Sequence, residues 1–289
     1  MQIAIQGELG SFSHEAALRM ANGLEPGNSG SEDIQIVPCF HSPDVFRLVV
    51  EGTVDAAVIP IENSLAGPVA EHFDLLLKEE VAIESESQLR IRHNLIGLPS
   101  ATLARIKRVS SHPVALAQCR RFLESHPEIL AVPFYDTAGS VKTVIEKGEL
   151  SAAAIASRQA ADHYGAHILA ADIEDNAANF TRFFLVRRAD LVRPDREADK
   201  VSLAFTVENR PGTLVEALRI FAVEGTNLTK IESRPVQGRP WQYVFYVDYQ
   251  MATAASADTI LAALRRSCSM VKELGRYRSA PMNFDNQTN

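Results

Sequence analysis

Four short apolar runs punctuate the first 190 or so residues: IAI at 3–5, IQIVP at 34–38, DAAVIPI at 55–61 and AAAIA at 152–156. Each is separated from the next by stretches long enough to hold helices. Strands that alternate with helices pair in parallel, so the pattern predicts an α/β layered fold. The segment opening Ser111-His112-Pro113 illustrates the helical part. Ser111 is placed to cap, Pro113 suits a first turn, and Val114, Leu116, Ala117 and Phe122 fall near one side.

The pattern breaks at RRADLVRPDREADK, which is charged, contains Pro194 and has no apolar periodicity; it reads as a linker. Beyond it Val201, Leu203, Phe205 and Val207 alternate onto one face of a strand. Leu214, Leu218 and Phe221 then form a helical stripe that Gly225 can end. The runs NLTKIESRP and WQYVFYVDY, the helix SADTILAALRRS and a short strand near VKELGRY complete a βαββαβ order, the ferredoxin-like arrangement. The expected organisation is an α/β region at 1–187, a linker at 188–200, a small domain at 201–280 and a frayed polar tail at 281–289.

Composition narrows the function classes. The 289 residues suit two domains, and 46% hydrophobic with 22% charged residues is ordinary for a globular chain. A net charge of −7 without a lysine-arginine block argues against a nucleic-acid partner. The opening MQIAIQGELG reads directly as a strand, and no apolar run approaches the ~18 residues of a membrane span. A cytoplasmic protein without membrane association is expected. Cys39, Cys119 and Cys268 are odd in number and lack a CxxC pair, so they read as reduced packing residues. His14 begins HEAAL, but a zinc-binding helix needs a second histidine where Leu18 stands, so no metal site is expected.

Five stretches carry candidate chemistry. In GELGSFS, from Gly7 to Ser13, backbone N–H groups and the hydroxyls of Ser11 and Ser13 suit an anion, although a plain capped turn explains them equally well. PIENSLAG packs Glu62, Asn63 and Ser64 into a turn at the end of an apolar strand, where ligands collect in open α/β sheets; these are also ordinary turn residues. VSSHPVALAQC and FYDTAGS are strand-to-helix junctions supplying hydroxyls and free N–H groups, with helix capping as the commoner use. NFTRFFLV, residues 179–186, wedges Thr181 and Arg182 into an apolar strand. Together they suggest a cleft built from uncharged hydrogen-bond donors.

The ordered set GELGSFSHEAA, PIENSLAG, SSHPVALAQC, DTAGS, AAIASRQAADHYGAHILAADIEDNAANFTRF, NRPGTLVEAL and NLTKIESRP resembles prephenate dehydratase with a C-terminal ACT regulatory domain, over residues 1 to about 278. The resemblance implies a two-lobed catalytic domain similar to periplasmic binding proteins, with substrate in the cleft. It implies conversion of prephenate to phenylpyruvate, carbon dioxide and water without a cofactor. It also implies that Thr181 donates to the leaving hydroxyl, while Asn63, Ser64, Ser111, Gln118, Thr137 and Phe183 line the site; Ser11, from the anion-suited turn, and Arg182 are further substrate-binding candidates. A threonine hydroxyl is a very weak acid, so a hydrogen bond that strengthens as charge develops suits it better than full early proton transfer.

Strand alternation divides that set, because Thr181, Phe183 and Leu185 point one way and Arg182, Phe184 and Val186 the other. Either the regular strand begins after Arg182, which then meets substrate, or Arg182 supports the site from behind by pairing with Asp172, Glu174 or Asp175. Val114 stands where the family often has glutamine, and Ser140 and Val141 where small alanines are frequent. These departures leave arogenate, the aminated form of prephenate, as an alternative substrate.

For the tail, the resemblance implies paired ACT domains, a homodimer or homotetramer, and phenylalanine as inhibitor. Asn209, Pro211, Gly212, Thr213, Leu214 and Val215 at a strand-to-helix turn would bind it, completed by Asn227, Leu228, Glu232, Ser233 and Arg234. An ordinary capped turn is the bland reading. A non-catalytic amino-acid sensor built from the same folds is the alternative from another class.

Overall fold

The computed structural model describes residues 1–24, 34–193, 195–236, 238–251 and 253–281, so the expected frayed tail lies, from 282 onward, outside the described residues. Two compact units emerge, Met1–Val69 with Ser87–Phe183, and Ala70–Glu86 with Phe184–Asn289.

The chain opens with β1 (Gln2–Gln6), α1 (Phe12–Leu24), β2 (Gln35–Cys39), α2 (Ser42–Val50), β3 (Ala56–Asn63), β4 (Gly67–Pro68), α3 (Ala70–Lys78) and β5 (Val81–Arg90). A second group follows: β6 (Asn94–Gly97), β7 (Arg108–Ser111), α4 (Pro113–Ala117), α5 (Arg120–Glu124), β8 (Leu130–Pro133), α6 (Thr137–Lys147), β9 (Ala152–Ala156), α7 (Arg158–Tyr164) and β10 (His167–Ala170). Then β11 (Phe180–Arg188) returns to the first sheet, whose order is β2-β1-β3-β11-β5 with β4 on β3; the second sheet runs β10-β6-β9-β7-β8.

Parallel pairing holds for β1 with β2 and β3, and for β7 with β8 and β9. It fails for β6, which is antiparallel to both β9 and β10. The chain passes between the two sheets twice, at 91–93 and 171–179, and β6 and β10, which flank these passages in the second sheet, run antiparallel to each other. The passages are bonded to each other: Ile91 N donates to Asn179 O at 2.8 Å, and Ile173 N to His93 O at 2.8 Å.

Alternation in β9 explains how so plain a run as AAAIA organises the second lobe. Ala152, Ala154 and Ala156 pack beneath Ala138, Val141, Ala160 and Ala161 of α6 and α7. Ala153 and Ile155 face Val109, Ala115 and Cys119 on the other side. Small side chains bring both helices close to the sheet, and all five positions are buried. α6 begins at Asp136, whose carboxylate accepts from Gly139 N at 2.7 Å, and ends at Gly148 in the left-handed conformation.

The second unit contains β12 (Lys200–Thr206), α8 (Thr213–Val223), β13 (Asn227–Pro235), β14 (Tyr243–Gln250), α9 (Ala254–Ser267) and β15 (Met270–Tyr277), the ferredoxin-like order, in an antiparallel sheet β13-β14-β12-β15. Val201, Leu203 and Phe205 face Ala217, Phe221, Ile260 and Leu264. The helical stripe is corrected to Leu214, Ala217 and Phe221, because Leu218 lies off this core.

Residues 70–86 pack with this unit, upstream of the composition break. Lys272 Nζ donates to the carbonyls of Leu76, Leu77 and Glu79 at 3.1, 3.0 and 2.7 Å, closing the C-terminus of α3. Arg234 grips Asp74 with two bonds of 2.9 and 2.8 Å, and the buried Lys200 meets Glu86 at 2.9 and 3.0 Å. Gly275 lies so close to Ile83 that a Cβ there would run into its carbonyl oxygen.

Candidate active site

Three carboxamides close head to tail in the first unit. Asn63 Nδ2 donates to Asn179 Oδ1 at 2.7 Å, Asn179 Nδ2 to Gln118 Oε1 at 2.9 Å, and Gln118 Nε2 to Asn63 Oδ1 at 3.4 Å. Each comes from a different place: the end of β3, the end of α4, and the second passage between lobes. Asn63 Nδ2 also reaches Thr181 Oγ1 at 2.9 Å and Phe180 O at 3.1 Å. Asn63 Oδ1 receives the backbone N–H groups of Leu65 and Ala66 at 3.0 and 2.8 Å, an Asx turn that fixes which end of the amide faces Thr181. Thr181 therefore accepts through oxygen, and among the described residues no acceptor takes its own proton.

The tight turn after β3 is held by Ser64, whose hydroxyl donates to Ala178 O at 3.0 Å and accepts from Phe180 N at 2.9 Å. Asp175 braces the opposite side. Its carboxylate accepts from Arg120 N and Arg121 N at the start of α5, and its own N–H donates to Gln118 O at 2.7 Å. Asn63, Ser64, Gln118 and Thr181 are thus brought together, and Asn179 and His93 join them. Sequence reasoning omitted Asn179 from the substrate set and missed His93, whose signal was a polar His-Asn pair where the short apolar strand β6 begins.

Other expected residues stand elsewhere. β11 is already regular at Thr181, and alternation sends Arg182 to the far face, where Nη1 meets Glu62 Oε1 at 3.0 Å with the guanidinium buried. This arrangement matches the supporting role from behind, with Glu62 as the carboxylate instead of Asp172, Glu174 or Asp175, and lends no support to substrate contact by Arg182. Ser111 is fully buried and its hydroxyl donates to Ile155 O at 2.6 Å inside the second sheet, which gives no support to its expected contact with substrate. Phe183 is 1% exposed, a core residue on the face of Thr181. Ser11 is buried and its hydroxyl accepts from His14 N at 3.3 Å, as a helix cap. Val114 is exposed, while Ser140 and Val141 are buried in α6.

A cleft of about 560 Å³ opens in the same unit, lined by Gln6, Gly7, Glu8, Phe40, Tyr135 and Asp136 among others, none of them members of the amide ring. Thr137 adjoins it as the first residue of α6. Glu8 links the two lobes here, accepting from Tyr135 Oη at 3.0 Å and from Lys142 Nζ at 3.2 Å. Burial, followed by the bond to Glu8, pushes the Tyr135 phenol up to about 12. Burial also raises the Asp136 carboxyl, reinforced by the charge of Glu8. At Gly10 the lobes touch: its φ is +85° and a Cβ would sit 2.8 Å from Ala160 Cα, so only glycine fits. Ser157 Oγ bonds the Gly10 carbonyl at 2.7 Å.

In the second unit the turn before α8 is tied by Thr213 Oγ1, which donates to Glu208 O and Arg210 O at 2.7 and 2.9 Å, and Gly212 has φ +91°. Pro211 and Val215 are exposed, and Leu214 packs against the core. Asn209 lines a pocket of about 360 Å³ with Thr206, Glu208, Arg239 and Gln242. Asn227, Leu228, Glu232, Ser233 and Arg234 all lie on the edge strand β13, with Arg234 engaged by Asp74.

The family model described as prephenate dehydratase matches residues 3–191. The chain belongs to the prephenate dehydratase family. It is 36% identical to an arogenate dehydratase/prephenate dehydratase of Arabidopsis thaliana over 96% of this chain and 72% of that protein. It is 35% identical to a bifunctional chorismate mutase/prephenate dehydratase of Aquifex aeolicus, over 97% and 74%. Among solved structures, a prephenate dehydratase of Arthrobacter aurescens in complex with L-Phe superimposes with a TM-score of 0.85 at 33% identity, covering 96% of this chain and 90% of that one. A protein described as a novel type of quorum quenching acylase also gives 0.85, at 32% identity over 97% and 99%. The family and these relatives place the two-lobed unit with the dehydratases, consistent with the amide-lined site.

Proposed function

We propose that the chain is a prephenate dehydratase that uses Thr181 as hydrogen-bond donor to the departing hydroxyl. In this reaction the bond from the ring to its carboxylate breaks and the electron pair enters the ring. The carbon–oxygen bond on the opposite ring carbon then breaks, and its oxygen leaves as water once protonated. The protein's task is to hold the substrate and to meet charge as it forms on that oxygen. One observation carries the reading: Asn63 occupies Thr181 Oγ1 as donor, which leaves the Thr181 proton for the substrate. The ring around it supplies neutral donors, and no step requires a cofactor.

The 36% identity to a protein described as acting on arogenate as well supports a second reading, in which arogenate is the preferred substrate. The acylase reading has less support, since Ser64 Oγ is held between Ala178 O and Phe180 N and, among the described residues, bonds no histidine or carboxylate. For the C-terminal unit, the L-Phe complex of a relative with the same fold supports phenylalanine as a ligand, and the proposal is an ACT domain that takes it at the Gly212 turn and β13. The half-exposed edge strand β13 and exposed Val215, Ile231 and Tyr243 support pairing with a second copy.

The test is turnover of prephenate and of arogenate by the full chain and by Thr181→Val and Thr181→Ser. Loss of a positioned donor costs on the order of 100-fold in kcat, so valine should fall by about that much and serine by far less. Wild-type kcat in the valine variant would end the donor role. No turnover of either substrate, with tight phenylalanine binding, would favour the amino-acid sensor.

A further inference from the structure

His93 sits at the far end of the amide ring from Thr181, on the first passage between the lobes. Its Nε2 lies 2.9 Å from Gln118 Oε1, its backbone N–H donates to Glu174 Oε2 at 3.0 Å, and its ring meets Phe12 edge to face. Only 2% of the residue is exposed.

Donors and acceptors along the ring follow in order from backbone groups, whose roles are not ambiguous. The N–H groups of Leu65 and Ala66 point at one end of the Asn63 amide and the Phe180 carbonyl faces the other, so this amide cannot be turned over. Asn63 then gives an N–H to Asn179, which makes the facing Asn179 atom its oxygen and turns the Asn179 nitrogen to Gln118. The Gln118 atom receiving it is oxygen, so the His93 nitrogen beside the same atom must be a donor. That places the imidazole proton on Nε2 and leaves Nδ1 bare, and Nδ1 is enclosed with no hydrogen-bond partner among the described residues.

We infer that His93, held as its Nε2–H tautomer, is a positioning residue that keeps the three carboxamides running in one direction and so keeps Asn63 the donor to Thr181. With two donors on Gln118 Oε1 the glutamine amide has one stable orientation. Without the imidazole N–H it can turn, setting its NH₂ against that of Asn179. Asn179 is caught from both sides, because Asn63 cannot turn with it. Such rings gain by mutual polarisation and lose it when one member reverses. A second proton on the imidazole would put an N–H at Nδ1 where no acceptor stands, and burial lowers the basicity of His93 in the same sense. The link from ring polarity to catalysis rests on the dehydratase reading; the tautomer does not.

The experiment uses the full chain, labelled with ¹⁵N histidine, and reads the His93 ring nitrogens by long-range proton-nitrogen correlation at neutral pH. Nε2 should appear protonated and Nδ1 unprotonated; an Nδ1–H or doubly protonated ring overturns the inference. Kinetics supply the second arm. His93→Gln returns an amide N–H to the place of Nε2, and His93→Leu does not. We expect leucine to lower kcat about 10-fold with KM moved less than about twofold, and glutamine to restore most of the loss. Equal losses in the two variants at equal melting temperature would overturn the positioning role. If the wild type turns over neither prephenate nor arogenate, the dehydratase reading fails, while the tautomer measurement still decides the polarity.

Discussion

At the scale of the residue, His14 shows how one hydrogen bond sets a pH response. Its Nδ1 accepts from Gly10 N at 2.8 Å, which requires an unprotonated nitrogen. Burial, followed by the neighbouring His163, holds its pKa below the ordinary value of 6.5, and burial acts on His93 in the same direction. Above about pH 6.5 both folded and unfolded chains keep these rings neutral and the contribution to stability is complete. As pH falls further the unfolded chain takes up protons that the folded chain resists, so stability is lost toward the folded pKa. Melting temperature should therefore drop on acidification below about 6.5, and less steeply in His14→Asn, which keeps an acceptor but cannot titrate. Arg182 offers the complementary case, a buried charge whose removal takes an ion pair from Glu62. Arg182→Leu should lower unfolding free energy by about 2 kcal/mol, less than a fully buried pair would lose because Glu62 is partly exposed. Denaturant titration measures this, and the KM of the folded variant should stay near wild type. A raised KM at unchanged stability would return Arg182 to substrate contact.

At the scale of the element, α3 depends on a lysine far along the chain. Lys272 occupies the carbonyls that the end of α3 leaves open, and burial lowers its pKa. Lys272→Met should loosen that end, costing about 1–2 kcal/mol and speeding amide exchange in residues 70–79 while α9 keeps its protection. Exchange unchanged in α3 would mean that water serves these carbonyls as well as lysine does. The same element explains what could be read from sequence and what could not. β1, β2, β3 and β9 announce themselves because apolar runs bury both faces. β5 hides its pattern, since VAIESESQLR buries Glu86 opposite a lysine 114 residues later. Site residues behaved alike: Asn63, Ser64, Gln118 and Thr181 are visible as polar interruptions near strand and helix ends. Their side-chain partners lie 25 to 118 residues away, and no local periodicity encodes such distances. Arg182 was half legible, in that alternation predicted its face but could not name Glu62.

At the scale of the whole molecule, the boundary between units cuts the chain three times, after Val69, Glu86 and Phe183, and the composition break lies close to the last cut alone. Removing residues 200 to 289 would strip α3 of Lys272 and Arg234, Glu86 of Lys200, and Ile83 of Gly275. The truncated chain should melt well below the intact protein and bind a hydrophobic dye, so its kinetics would not report phenylalanine sensitivity alone. A cooperative melt at the wild-type temperature would contradict this. Gly275→Ala should produce a milder version, about 1–3 kcal/mol of overpacking, in a chain that retains both units. The amide ring also bears on the conditions under which the whole protein works. Its three members carry no net charge and do not titrate, and they are neither weakened by salt nor switched by neutral-range acidity. Alignment of the Thr181 hydroxyl is thereby insulated from ionic strength, and acid reaches it only through His93, whose protonation burial resists.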